Sequence, residues 1–282
     1  MVGTVPRSDI WILDLGTGAW SRLTSDGREN KWPLWTPDGR RLAFTSARAG
    51  PLGLFSQPAD ASEGPELLLS GDGRQIYAHS WSGDGRTLVF ARLSPDAGAD
   101  LFTVQAGSDD PPRALVGGPG RQNGGKLSPD GRFLAYFSDE SGQDEVYVRP
   151  IEGGGKYQVS SDGGAWPIWA RNNRELFYQK GINVMVVSVR TEPSFSAEDP
   201  RVLFERLYFG HSPALNATSW DVAPDGRFIM VKPGEADLAP RSLQVVLNWF
   251  EELKRLAPVG TEAQACGPLQ SRVIMPYACM IA

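Results

Sequence analysis

The sequence repeats one phrase: a bulky apolar stretch, a turn of the Ser/Thr-Pro-Asp-Gly-Arg type, and a second apolar run. Four copies read WPLWTPDGRRLAFTS, HSWSGDGRTLVFAR, GKLSPDGRFLAYFS and SWDVAPDGRFIMVK, and a degraded copy reads WPIWARNNRELFYQK. The copies are anchored on the turn residues Asp38, Asp84, Asp130, Asn172 and Asp225, which lie 46, 46, 42 and 53 residues apart. A period in the forties is typical of a β-propeller blade.

Each copy places Asp-Gly, or its degraded counterpart, between two short runs rich in aromatic and β-branched residues. Because Gly adopts a positive φ without a Cβ clash and Asp bonds its own backbone, this pair predicts a tight hairpin. Two more short strands follow each hairpin, for example over 145–148 and 157–159 in the third copy. The pattern predicts an all-β propeller of four-stranded blades, about five by count, or six if the terminal pair forms its own blade.

The two ends of the chain depart from this pattern. Residues 9–24 resemble the outer two strands of a blade whose inner pair is missing. Either this pair completes the last blade, or closure needs a second copy in a homodimer. We therefore divide the chain into a lead (1–8), a propeller (9–257) that ends in a short capping helix over 248–256, and a tail (258–282). The tail lacks the blade pattern, and we expect it to be non-native or disordered.

Bulk composition excludes several classes of function. A net charge of -5 argues against nucleic acid or anionic membrane surfaces as partners, and no apolar run is long enough to insert into a membrane. The only cysteines, Cys266 and Cys279, lie in the tail, so we expect no disulfide or thiolate metal site in the propeller. Residues 1–10 show no secretory signal, which predicts that the chain as it stands is cytoplasmic.

The turns TPDGR, SPDGR and APDGR, the strand DIWILDLGTG and its LTSDG ending resemble the TolB-like family of β-propellers. The phrase VVLNWFEELKRL is similar to the last segment of the propeller that follows the membrane span in many bacterial serine/threonine kinases. The resemblance covers residues 9 to about 257. It implies a periplasmic or extracytoplasmic sensor or scaffold that binds proteins or small ligands. The kinase motifs VAIK, HRD and DFG do not occur, so phosphoryl transfer by that route is excluded.

The first functional hypothesis is a non-catalytic binding module, a fragment of a sensor-type protein, that takes a small molecule or a protein at the mouth of its channel. Aromatic and amide side chains near the starts of the inner strands would contact the ligand, although packing between blades is the simpler explanation of the aromatic residues. These candidate ligand-binding residues are Trp32, Tyr77, Trp166 and Asn123.

The second hypothesis is a metal-dependent hydrolase of esters, lactones or phosphotriesters, because propellers of related architecture hold a divalent ion at the channel mouth. Such an ion, here Ca²⁺, Zn²⁺ or Mn²⁺, polarises the substrate and activates a bound water. Histidine serves as a metal ligand or as a general base near neutral pH. The candidate metal ligands are Glu29, His79, Asn123 and His211, and the candidate catalytic residues are His79, His211 and Asp221.

Overall fold

The computed structural model describes residues 8–50, 52–94, 98–205, 220–223, 225–232, 244–245 and 278–279. Every helix or strand among these residues is a β-strand, and none is a helix that could span a membrane. The first eleven strands are β1 (Asp9–Leu13), β2 (Trp20–Arg22), β3 (Asn30–Trp35), β4 (Arg41–Ser46), β5 (Gly53–Pro58), β6 (Glu66–Leu69), β7 (Ile76–Trp81), β8 (Thr87–Ser94), β9 (Gly98–Gln105), β10 (Arg113–Val116) and β11 (Gln122–Leu127). The others are β12 (Phe133–Ser138), β13 (Glu145–Pro150), β14 (Tyr157–Gln158), β15 (Ala165–Trp169), β16 (Glu175–Lys180), β17 (Asn183–Arg190), β18 (Ser196–Ala197), β19 (Arg201–Glu205), β20 (Trp220–Val222), β21 (Phe228–Lys232), β22 (Gln244–Val245) and β23 (Ala278–Cys279).

The described strands form six sheets, of which five follow one another along the chain. Three sheets have four antiparallel strands in the orders β3-β4-β5-β6, β7-β8-β9-β10 and β11-β12-β13-β14. A fourth contains β15-β16-β17, with β18 and β19 both paired to β17, and a fifth has the order β20-β21-β22. We call these five sheets blades 1 to 5. The arrangement confirms the all-β propeller of four-stranded blades that the repeat predicts.

The repeated turns are held by local hydrogen bonds. In blade 1 the Thr36 hydroxyl donates to Asp38 Oδ1 over 2.6 Å, and the Arg40 amide donates to the same oxygen over 3.0 Å. These two donors hold the pKa of the Asp38 carboxyl below its ordinary value, and Gly39 takes the positive φ of 67°. Ser82–Asp84 and Ser128–Asp130 repeat the contact. Because every partner lies within the turn, the motif specifies its own hairpin.

The hydrophobic core consists of five clusters, and each cluster joins two sheets that are consecutive in the chain. Blade 1 and blade 2 share Leu54 and Phe90, for example, and blades 4 and 5 share Phe177 and Trp220. Alternate side chains of a strand point to opposite faces, so each of blades 1 to 4 packs one face on the preceding sheet and the other on the next. Burial of these apolar faces therefore sets the order of the blades.

The N-terminal pair β1–β2 has the structure of an outer blade pair. The Ile10 amide donates to Thr24 Oγ1 over 2.9 Å, just as the Val146 amide in blade 3 donates to Ser160 Oγ over 2.7 Å. Ile10 packs against blade 1. Within the described residues β1 pairs on its other side with β23, in parallel, and the pair does not join the sheet of blade 5. It therefore lies in a sixth sheet, while homodimer formation stays a prediction.

Two expectations about the C-terminal part of the chain concern residues that are mostly outside the described ranges. The capping helix expected over 248–256 lies entirely outside them. Of the tail 258–282, the described residues are Ala278 and Cys279, which form β23. The proposed domain boundaries stay predictions.

Candidate functional site

The first strands of blades 1 to 4 lie side by side on the inner side of the propeller, and β20 begins blade 5 in the same way. The first strands of adjacent blades contact one another (β3 with β7, β7 with β11, and β11 with β15). We call β3, β7, β11, β15 and β20 the innermost strands, and the space that they surround the channel. Side chains carried by these strands are the ones that an axial ligand would meet.

Each of the first four innermost strands contains a β-bulge at the same place in the repeat. One extra residue is inserted between Lys31 and Leu34, between Ala78 and Ser80, between 123 and 126, and between 165 and 168. Residues within three of these bulges have positive φ angles: Trp32 at 52°, Gly124 at 66° and Trp166 at 57°. A bulge bends its strand and redirects the neighbouring side chains. The four bulges therefore change the direction of side chains at the same position of four innermost strands.

His79 is the inserted residue of β7, and its side chain is buried at 5% exposure. It forms a side-chain hydrogen bond with Asn123, while Nε2 has no hydrogen-bond partner among the described residues. Burial and, secondarily, the nearby ammonium of Lys126 lower the pKa of His79 to about 3, although the bond to Asn123 opposes the shift. The imidazole is therefore neutral across the physiological pH range.

Asn123 belongs to β11, the innermost strand of blade 3, and is almost fully buried at 1% exposure. Its Oδ1 accepts a 2.9 Å hydrogen bond from the amide of Gly124, which fixes the amide side chain next to the bulge. Because the same side chain bonds to His79, it links the innermost strands of blades 2 and 3. The structure thus brings into contact two of the four residues that sequence analysis selects as candidate metal ligands.

Lys126 is a functional candidate that sequence analysis misses. Its Nζ donates a 2.8 Å hydrogen bond to the carbonyl oxygen of His79, and its own carbonyl accepts 3.0 Å from Trp169 Nε1. Loss of solvent around the half-buried ammonium lowers the pKa of Lys126, and the carboxylate of Asp221 in blade 5 raises it. The side chain of Asp221 is exposed. Lys126 and Asp221 therefore influence each other electrostatically although blade 4 separates their blades.

The aromatic candidates are mostly packed against other rings. Trp32 is half-buried and meets Tyr77 edge to face with ring centroids 4.3 Å apart. Tyr77 itself is 2% exposed, and Trp166 is 4% exposed with its ring 4.9 Å from Phe137. All three lie in clusters between blades or against them. Their assignment as ligand-binding residues stays a prediction, and Trp32 is the one that retains partial exposure.

The metal hypothesis depends on residues of which only some are described. Glu29 is half-buried and forms an ion pair with Lys31. His211 lies outside the described ranges, and so does its proposed place in the site. Within those ranges, no three His, Cys, Asp or Glu side chains are grouped in a way that would hold a metal ion. The ammonium of Lys126 beside His79 also opposes the approach of a cation to the imidazole.

No family model matches the chain. An uncharacterized protein of Agrobacterium fabrum is 30% identical over 137 residues, which cover 45% of this chain and 46% of that protein. The Tol-Pal system protein TolB of Bordetella pertussis is 32% identical over 123 residues, or 43% of this chain and 27% of TolB. The matches therefore span less than half the length of either relative.

Solved structures extend the likeness over most of the chain. TolB from Acinetobacter baumannii superposes with a TM-score of 0.63 at 15% identity, over 79% of this chain and 53% of that one. The fold is that of a TolB-like β-propeller. A candidate TolB from Agrobacterium tumefaciens matches the TolB-like propeller with a TM-score of 0.53 at 18% identity, covering 79% of this chain and 96% of the other.

The same fold also carries other functions. An oligogalacturonate lyase solved in complex with manganese matches the TolB-like propeller with a TM-score of 0.50 at 14% identity, over 85% of this chain and 81% of that one. At such identity the likeness concerns the fold alone. The resemblance to the kinase-linked propellers stays a prediction.

Proposed function

We propose that this TolB-like propeller is a ligand-binding module of a bacterial sensor-type protein, with its site in the channel. The observation that carries the proposal is the polar cluster of blades 2 and 3, where the neutral His79 bonds to Asn123 and its carbonyl accepts a 2.8 Å hydrogen bond from Lys126. The carboxylate of Asp221 in blade 5 acts on the ammonium of this cluster. A concave surface with a few polar groups at fixed positions is the usual form of a binding site. The resemblance to extracytoplasmic family members favours a location outside the cytoplasm.

The electrostatics favour binding over hydrolysis. A general base works best when its pKa lies near the operating pH, and the pKa of His79 is lowered to about 3. The ammonium of Lys126 stands beside the same imidazole, and its positive charge would repel the metal ion that a metal-dependent mechanism needs there. A neutral histidine held by Asn123 is suited to shaping a binding site, because its charge does not change between pH 5 and 8.

A ligand screen tests this function. The purified chain would be heated with a panel of small polar compounds grouped by charge, and each hit would be titrated by calorimetry. We expect at least one hit whose affinity falls when Lys126→Met is introduced, and remains when Lys180→Met is introduced. Lys180 is the matched control because its ammonium pairs with Asp162 at the surface over 2.8 Å.

Two outcomes would contradict the proposal. One is a panel without any ligand whose binding depends on Lys126. The other is turnover of aryl esters or phosphotriesters that chelator abolishes and one divalent ion restores, since this behaviour belongs to the hydrolase hypothesis.

A further inference from the structure

The two exposed or half-exposed charges of the site occupy the same position of the repeat. The residue four places before the turn residue is Leu34 in blade 1, Ser80 in blade 2, Lys126 in blade 3, Ile168 in blade 4 and Asp221 in blade 5. Residues at one repeat position lie at one level of the innermost strands. The chain therefore places one cation and one anion at the same level.

The three uncharged members of this position are engaged in structural contacts. Leu34 and Ile168 pack into the clusters between blades. The Ser80 hydroxyl donates to the carbonyl of Gly125 over 3.0 Å and accepts from the amide of Leu127 over 3.1 Å. The ordinary role of the position is thus to join a blade to the next one. Lys126 and Asp221 differ because they place a charge at this position, although the Lys126 ammonium also bonds to the carbonyl of His79 in blade 2.

Lys126 in blade 3 and Asp221 in blade 5 lie at this same repeat position on the first strands of their blades. Blade 4 lies between their blades, yet the charge of Asp221 acts on the ammonium of Lys126. No ion pair joins either residue to any charged side chain in the described part of the chain. The remaining charged residue of the innermost strands, Lys31, already pairs with Glu29.

Both charged groups retain hydrogen-bonding capacity. An ammonium has three donors, and Lys126 Nζ directs one of them to the carbonyl of His79. A carboxylate accepts about four hydrogen bonds, and Asp221 Oδ1 accepts one from the amide of Val222 over 2.8 Å. A ligand between them would find donors on one side of the channel and acceptors on the other.

We propose that Lys126 and Asp221 bind the carboxylate and the ammonium group, respectively, of a small zwitterion, of which a free amino acid is the simplest example. This inference rests on the proposed binding function and names its ligand class. A simple anion at Lys126 would be repelled by Asp221, and a simple cation at Asp221 would be repelled by Lys126. A zwitterion satisfies both charges at once, so the pair selects against singly charged compounds.

The test combines three ligands with two variants. β-Alanine carries both charges, propionate lacks the ammonium group and propylamine lacks the carboxylate, while the carbon chain is nearly the same. We expect β-alanine to bind the unaltered chain about 10- to 100-fold more tightly than either analogue, the effect of one charge-assisted hydrogen bond. Glycine and γ-aminobutyrate would then report which separation of the charges fits best.

Each variant should remove one half of this preference. In Asp221→Asn, β-alanine and propionate should bind equally, because the ammonium group has lost its partner. In Lys126→Met, β-alanine and propylamine should bind equally for the corresponding reason. Asp162→Asn and Lys180→Met neutralise an exposed ion pair elsewhere and should leave all three affinities unchanged. Unchanged circular dichroism would confirm that each variant is folded.

The inference is overturned if propionate binds the unaltered chain as tightly as β-alanine, or if Asp221→Asn weakens both ligands equally. It is also overturned if no amino acid of the series binds while another compound of the panel still requires Lys126, and in that case the proposed binding function stands. If no compound of either set requires Lys126, both proposals fail.

Discussion

The innermost strands of blades 3 and 4 share a bulged backbone but differ in the polarity of their side chains. β11 and β15 are neighbours, each carries the bulge, and each leads into the repeated turn. All five residues of β15 are buried, and Trp166, Ile168 and Trp169 fill the clusters between blades. β11 instead reads QNGGKL and presents Asn123 and Lys126 to the site.

The difference is made possible by a glycine in the bulge of β11. Gly124 has a φ of 66°, and a Cβ built there would lie 2.8 Å from two ring carbons of Phe137 and 3.4 Å from Trp166. The aromatic rings of blades 3 and 4 therefore occupy the space that a side chain at this position of β11 would fill. β15 carries the large side chains, and the glycine of β11 leaves the space that they occupy. The repeat therefore determines the backbone, whereas residues that differ from the repeat form the site.

The largest effect is expected from filling that space. Gly124→Ala should lower the free energy of unfolding by about 2–5 kcal/mol, because it adds left-handed backbone strain to an overpacked contact. Gly131→Ala is the matched control, since Gly131 has a φ of 72° in the repeated turn and nothing lies near its missing Cβ. The control should cost about 1–2 kcal/mol. Equal losses in urea unfolding would show that the rings do not require the glycine.

An intermediate effect is expected from the pH dependence of His79. The unfolded imidazole takes up a proton below its ordinary pKa of 6.5, whereas the buried imidazole resists protonation until about pH 3. The unfolded state therefore binds more protons between these values, and stability falls by about 1.4 kcal/mol for each pH unit below 6.5.

The measurement is urea unfolding of the unaltered chain and of His79→Gln at several pH values between about 7 and 4.5. The difference between the two free energies isolates His79, because all other titrating groups are shared. We expect the difference to change with pH in the sense given above. A difference independent of pH would mean that the imidazole is not buried in neutral form.

The smallest effect on stability is expected from replacing Lys126, although this replacement should have the largest effect on ligand binding. Lys126→Ile gives β11 the residue that blade 4 carries at the same repeat position. The variant loses the hydrogen bond to the His79 carbonyl, but it also loses the cost of desolvating the Lys126 ammonium. Because these two effects oppose each other, the free energy of unfolding should change by less than about 1 kcal/mol. A loss of several kcal/mol in thermal or urea unfolding would instead make Lys126 a structural residue.

Most of the fold could be predicted from the sequence because its determinants are local. The hydrogen bonds of the turns join residues within one phrase, as Thr36, Asp38 and Arg40 show. The alternation of apolar residues around each turn then defines the strands and both packing faces. The sequence does not decide whether the terminal pair forms its own sheet, because the edge on which β1 pairs depends on distant parts of the chain.

The site could be predicted only in part. His79, Asn123 and Asp221 were selected as polar residues of the inner strands, and the structure brings the first two into direct contact. Lys126 was missed because a lone lysine on a strand reads as a solvated surface residue. The sequence does contain a signal for Lys126, because the same repeat position holds the apolar residues Leu34 and Ile168 in other blades. The bulges were not predictable, because nothing local calls for a positive φ at Trp32 or Trp166.

The sequence by itself determined the blades, because each turn and each apolar alternation is complete within about 45 residues and repeats along the chain. The tertiary structure alone decided which departures from the repeat meet. Lys126 and Asp221 are 95 residues apart in the chain, and the charge of one acts on the other only after blades 3, 4 and 5 have packed in order. Hydrogen bonds within each turn determine the repeated hairpins. Burial of the apolar faces between blades determines how the residues that differ from the repeat are arranged in space.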